Sequence, residues 1–144
     1  MQLETIFQIC QSLVLLGWAC LLLAPMRRAQ MVTGARIVAG IMAVAYLIQF
    51  FTITVPTGGD FSSLAGITKL FSEPGNVMLG WTHYLAFDLF VASWEIEDAG
   101  RHGIPHWLMI PVLFFTLMLG PIGLLLYFVI RFGWGQFGSG QVKA

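Results

Sequence analysis

The run IPHWLMIPVLFFTLMLGPIGLLLYFVIR, residues 104–131, decides the fold class. Between its first residue and Arg131 the only side chain that can carry a positive charge is His106. A helix over 104–130 would rise about 40 Å, which exceeds the roughly 30 Å of a bilayer's hydrocarbon core. The run therefore reads as a membrane span. Three further apolar stretches lie upstream. Residues 3–24 are interrupted only by Glu4, Gln8, Gln11 and Ser12; residues 37–55 follow; residues 77–94 enclose His83 and Asp88. Backbone groups in lipid must find partners within the chain, so helices are the expected spans. The ten-residue alternating segments of a β-barrel are absent.

Composition agrees. The 144 residues are 58% hydrophobic and 10% charged, with 7 Lys+Arg against 7 Asp+Glu, and the mean hydropathy is +0.82. Soluble domains run near one-quarter charged. An ordinary cytosolic globule and a disordered chain are excluded, and so is a nucleic-acid binder, which needs a basic surface. The expectation is an all-α integral membrane four-helix bundle over residues 1–132 and a flexible Gly-rich tail over 133–144. Residues 60–71 place Phe61, Leu64, Ile67, Thr68 and Phe71 at helical spacing between Asp60 and Lys69, which predicts a short helix on the membrane surface.

The head of the first stretch carries Glu4 and no Lys or Arg, and no small-x-small site precedes Arg27-Arg28. It reads as a span rather than a signal peptide. With no Ser/Arg-rich transit segment, the expected location is a bacterial inner membrane. Arg27, Arg28 and Arg36 crowd the first loop, and Arg101 sits in the third. The positive-inside rule then puts those loops in the cytoplasm and both termini outside. Cys10 and Cys20 lie about 15 Å apart on one helix, too far for a disulfide, and two cysteines are too few for a metal site.

The third stretch holds the unusual chemistry. Trp81, Asp88 and Glu95 are seven apart and share a face, with Tyr84 beside them. His83 falls on another stripe with Phe87 and Phe90. A charged aspartate in hydrocarbon costs at least about 2.5–3.5 kcal/mol. Asp88 is either a catalytic or binding carboxyl or a polar clasp between helices. In the fourth stretch Pro121 has no N–H to give the Leu117 carbonyl, and Gly120 and Gly123 allow close approach. This is either a cavity-lining break or a plain proline kink. Taking Trp81 and Arg131 as markers of one membrane face puts Asp88 and the Gly120-Pro121 break at similar depth, with Tyr127 near Tyr84 and His83. His106 is placed to reach Glu95 across a short loop, while Glu97, Asp98, Arg101 and His102 read as solvated charges. No nucleotide fingerprint, GxSxG elbow, haem signature or HExxH is present, so no metal or other cofactor is expected. The chemistry on offer is acid–base.

The segments SLAGITKLFSEPGNVMLGWTHYLAFDLFVASWEIEDAG and IPHWLMIPVLFFTLMLGPIGLLLYFVIR resemble the abscisic-acid-deficient-type family of small four-span proteins, whose plant members are associated with neoxanthin synthesis. WTHYLAFDLF and LGPIGLLLY are the specific cues, and the likeness covers residues 62–131; residues 1–61 match in hydropathy alone. The resemblance marks Trp81, His83, Asp88, Asp98, His106, Gly120, Pro121 and Gly123 as motif positions. It implies an isomerisation in which an epoxide opens and a neighbouring C–H proton leaves, with no redox partner. On that basis Asp88, His83 and Tyr84 are the candidate catalytic residues. Trp81, Glu95, His106, Gly120, Pro121 and Tyr127 are the candidates for holding a carotenoid-like isoprenoid. The expected partners are the lipid bilayer, this lipophilic ligand and other membrane subunits. The alternative is a non-enzymatic accessory or pigment-binding subunit of a membrane complex.

Overall fold

A computed structural model describes residues 2–138, with side chains through 135. It contains six helices and, among the described residues, no strand: α1 Leu3–Leu22, α2 Arg28–Thr52, α3 Leu64–Leu70, α4 Pro74–Arg101, α5 His106–Leu119 and α6 Pro121–Gly138. The all-α class is as expected, and α1 and α2 are each long and apolar enough to cross a membrane. The short helix between the second and third stretches is α3. Ser63 caps it, its hydroxyl accepting from the Gly66 N–H at 3.0 Å. Pro74 opens α4, where its missing N–H costs nothing.

α1, α2 and α4 pack lengthwise around a core that includes Val14, Leu21, Met42, Leu89 and Ile96. Gly17 of α1 lies flat against Leu89, where a Cβ would collide. Ala35 and Ala39 of the small-residue stripe on α2 are buried, while Gly40 beside them has open space. Thr82 ties the three helices together. Its hydroxyl donates to Gln49 at 2.8 Å, and the Gln49 amide reaches the Cys10 sulfur at 3.6 Å. Both cysteines are free.

The two ends of this bundle are distinguished by their contacts. At one end Phe7 of α1 packs on Trp81, and Asn76 binds the backbone of Val55 and Leu70. At the other, Arg36 of α2 pairs with Glu97 at 2.5 Å. Arg28 and Arg36 thus belong to α2 rather than to the first loop, because the helix begins nine residues before the apolar stretch does.

The fourth apolar stretch is not one span. Gly120, at φ 38° and ψ −89°, ends α5, and Pro121 starts α6. The two helices fold back on each other. A Cβ on Gly123 would collide with the backbone and hydroxyl of Thr116. Arg131 of α6 returns to Asp98 and His102, at the end where α5 began. α5 has 14 residues, about 21 Å of helix, so the hairpin enters from the Arg101 end and turns before reaching the Trp81 end. The physical reason is local. A positive φ at glycine followed by a residue that cannot donate gives a turn where apolarity alone predicts continuity. As a result, the start of α1 and the end of α6 lie at opposite ends of the bundle, not at the same end as the four-span reading required. α6 also runs past residue 132, the expected limit of the helical domain; the remainder of the tail, 139–144, lies outside the described residues.

Candidate functional site

The hairpin turn meets α4 at Asp88. A Cβ on Gly120 would lie 3.0 Å from one Asp88 carboxylate oxygen and 3.2 Å from the other, so a side chain there would crowd the carboxyl, and the positive φ of residue 120 favours glycine independently. Asp88 Oδ2 is buried and has no hydrogen-bond partner. One turn earlier on the same face, the Tyr84 hydroxyl donates to the Leu117 carbonyl at 3.1 Å. That carbonyl is the one a continuous helix would have bonded to residue 121, and proline left it free. The Tyr84 side chain also faces the Asp88 carboxyl. A carboxyl, a phenol and a bent backbone therefore meet at this turn.

Below the turn a polar column continues along α4. Glu95 is fully buried and accepts from the Thr116 hydroxyl at 3.0 and 3.3 Å. Three residues on, Asp98 accepts from the Tyr127 hydroxyl at 2.5 Å and from Arg131 Nε at 2.6 Å. Arg131 donates onward to His102 Nε2 at 2.9 Å. That leaves the ring proton on Nδ1, which donates to the Asp98 carbonyl at 2.8 Å. The Trp94 ring meets the buried Tyr127 ring edge-on at 5.4 Å. Asp98 lies beyond the apolar stretch of α4. Burial pushes its carboxyl up, but the hydrogen bonds from Tyr127 and Arg131, together with the arginine's charge, outweigh this and hold it below the usual carboxylate value.

His83 lies where helical spacing set it, exposed on the far side of α4, stacked on Phe87 at 4.5 Å and tilted against Tyr46 at 5.9 Å, so it does not join Asp88 as the resemblance implied. Several other expected neighbours lie elsewhere. His106 turns to the end of α1, its Nε2 3.1 Å from the Leu22 carbonyl, while the hydrogen bonds of Glu95 go to Thr116. Arg131 marks the end opposite Trp81, and Tyr127 sits with Asp98 rather than with Tyr84 and His83. Both follow from the return of α6. Glu97 is no free loop charge either. It holds Arg36 at 2.5 Å and Arg101 at 3.0 Å, and the Arg36 hydrogen bond leads in keeping its carboxyl below the ordinary value.

Toward the Trp81 end nothing of the hairpin covers α4. There α1 and α4 bound an apolar hollow of about 540 Å³ whose lining includes Phe7, Val77, Met78 and Trp81, with Glu4 and Ser72 as its polar members. The rings of Phe7, Trp81 and Tyr84 follow one another at 6.1 and 5.3 Å, leading from this hollow toward Asp88. Among the described residues, no three His, Cys, Asp or Glu side chains converge as a metal-binding set.

Thr116 was missed by sequence reasoning, although a hydroxyl in an otherwise apolar helix is a signal that was available. The free Leu117 carbonyl was foreseen from Pro121, but its partner Tyr84 needed the fold. A family model described as ABA4-like, ABA DEFICIENT 4-like, matches residues 5–127. It begins in α1 and so takes in the two helices that had matched only in hydropathy. No curated protein and no solved structure matches the chain.

Proposed function

Since the chain belongs to the ABA DEFICIENT 4-like family, we propose that it is a bilayer-resident isomerase of a long carotenoid-like isoprenoid, with Asp88 and Tyr84 as its acid–base pair. The outer surface suits lipid: large apolar side chains such as Phe51, Trp107 and Val129 stand 78%, 66% and 70% exposed. Scattered exposed apolar residues are normal, but a surface made of them marks a membrane or partner contact. Arg27, Arg28, Arg36, Arg101 and Arg131 gather at one end, against Lys69 at the other among the described residues. The positive-inside rule makes the Arg101 end cytoplasmic, with α1 starting outside and α6 ending inside.

The observation that carries the proposal is the unpartnered Asp88 oxygen beside a helix break and a phenol. Irregular backbone at membrane depth is tolerated where it lines a shielded cavity, and an ionisable group there marks function by default. In an epoxide-to-allene isomerisation one C–O bond and one C–H bond break. Asp88, as carboxylate, takes the carbon's proton. Tyr84 gives its proton to the oxygen, and the Asp88 proton then passes to the phenolate, so atoms and charge balance with no redox partner. The apolar hollow and its aromatic edge give the polyene a place to lie.

Detergent-solubilised protein incubated with candidate xanthophyll epoxides and analysed chromatographically should form an isomer of unchanged mass. Asp88→Asn keeps the side chain's size but cannot take up a proton, so it should lower turnover by at least about 10²-fold. Glu73→Gln is the control, because the Glu73 side chain makes no capping bond at the start of α4. Equal turnover in the two variants removes Asp88 from the reaction; pigment retained without turnover makes the protein an accessory binder.

A further inference from the structure

A second feature, independent of the isomerase proposal, lies at the Arg101 end. Arg28, Arg36 and Arg101 line one hollow of about 420 Å³ between α2 and α4, and Glu97 is the only acid in its wall. Glu97 is shared between Arg36 and Arg101, so three guanidinium groups and one carboxylate leave two positive charges in excess. Arg28 has no acidic partner among the described residues, and its buried Nε has no hydrogen-bond partner. Its guanidinium fills the space above Gly100, where any Cβ would overlap it. α2 begins at this arginine without a side-chain cap, so the positive end of the helix adds to the same field.

Arg36 also heads a second hollow, an apolar one of about 360 Å³. It runs along the outside of α2 and α4 over Ala39, Gly40 and Ala43, with Phe87 and Phe90 as its far wall. A Cβ on Gly40 would meet nothing within 4 Å. A cationic basin that opens into an apolar trough along the helix direction has the chemistry of one amphiphile, an anionic head on an acyl chain. Basic pockets between membrane helices hold anionic lipid headgroups. A zwitterionic headgroup would bring its own cation to the same three arginines.

We propose that this surface is a binding site for an anionic glycerophospholipid, its phosphate on Arg28, Arg36 and Arg101 and one acyl chain along the Gly40 trough. In the test, protein in neutral detergent is titrated with phosphatidylglycerol, and bound lipid is counted by native mass spectrometry. Phosphatidylcholine of the same chains and soluble glycerophosphate are titrated in parallel. The expected result is one phosphatidylglycerol bound at least about tenfold tighter than phosphatidylcholine. Arg28→Gln, which breaks no ion pair within the protein, should weaken it about fivefold, the contribution of one basic residue at an anionic surface. Gly40→Leu fills the trough one turn beyond Arg36 and leaves Arg28 and Arg101, which lie outside it, untouched. It should weaken the long-chain lipid and leave dihexanoyl phosphatidylglycerol unaffected. Circular dichroism checks that both variants fold. Equal retention of the two lipids, or wild-type affinity in Arg28→Gln, overturns the proposal. Displacement of phosphatidylglycerol by equimolar glycerophosphate would make the site one for soluble anions and also overturn it.

Discussion

At the scale of single residues, the site depends on what is missing from two of them: a side chain at Gly120 and an N–H at Pro121. Gly120→Ala would place a Cβ at a positive φ and against the Asp88 carboxyl at once. A non-glycine residue in such a conformation costs about 1–3 kcal/mol. The expected outcome is a lower melting temperature together with loss of isomerase turnover, whereas Gly133→Ala, with nothing within 4 Å of its Cβ, should leave both unchanged. Asp98 offers a pH test. Its folded value is depressed below 3.8, so its bonds to Tyr127 and Arg131 contribute stability in full above that value. The contribution fades as pH falls through the lower folded value. The fluorescence of Trp94, isolated by difference from Trp94→Phe, should hold steady down to about pH 4 and change below it. Asp98→Asn should abolish that transition. Asp88, Tyr84 and the Gly120-Pro121 break were legible in the sequence because each violates what a lipid-facing helix wants. Helical spacing also set His83 on the stripe of Phe87, away from Asp88, as the stacking shows; the company of His106 was not legible, since it depends on a loop path that residue type does not encode.

Among the elements, α5 and α6 carry the main departure from expectation. Periodicity and hydropathy located every apolar stretch and the short helix α3. They could not separate one long span from a tight hairpin, because both bury the same apolar residues at the same spacing. What separates them is the conformation of one glycine and the partners of Thr116, Tyr127 and Arg131. Cysteine labelling decides between the two arrangements in membranes. In a Cys10→Ala, Cys20→Ala background, Gln30→Cys and Gly133→Cys should react with an impermeant thiol reagent from the same side, and Asp60→Cys from the other. A fourth full span would move the signal of Gly133→Cys to the side of Asp60→Cys. Labelling of Gln30→Cys from outside would reverse the orientation while leaving the hairpin intact.

For the molecule as a whole, the column from Asp88 through Glu95 to Asp98 faces the hairpin along its length, so these interior carboxyls are concentrated in one half. The other half is closed by apolar contacts and by the Thr82, Gln49 and Cys10 cluster. The turn at Gly120 then sets the width of the molecule at each end. Three helices make up the end around Trp81, and five the end around Asp98. With each helix about 10–12 Å across, the footprints differ by roughly 200 Å². The body is a wedge rather than a cylinder, and in the bilayer we propose for it, lipids would gather in unequal numbers around its two rims.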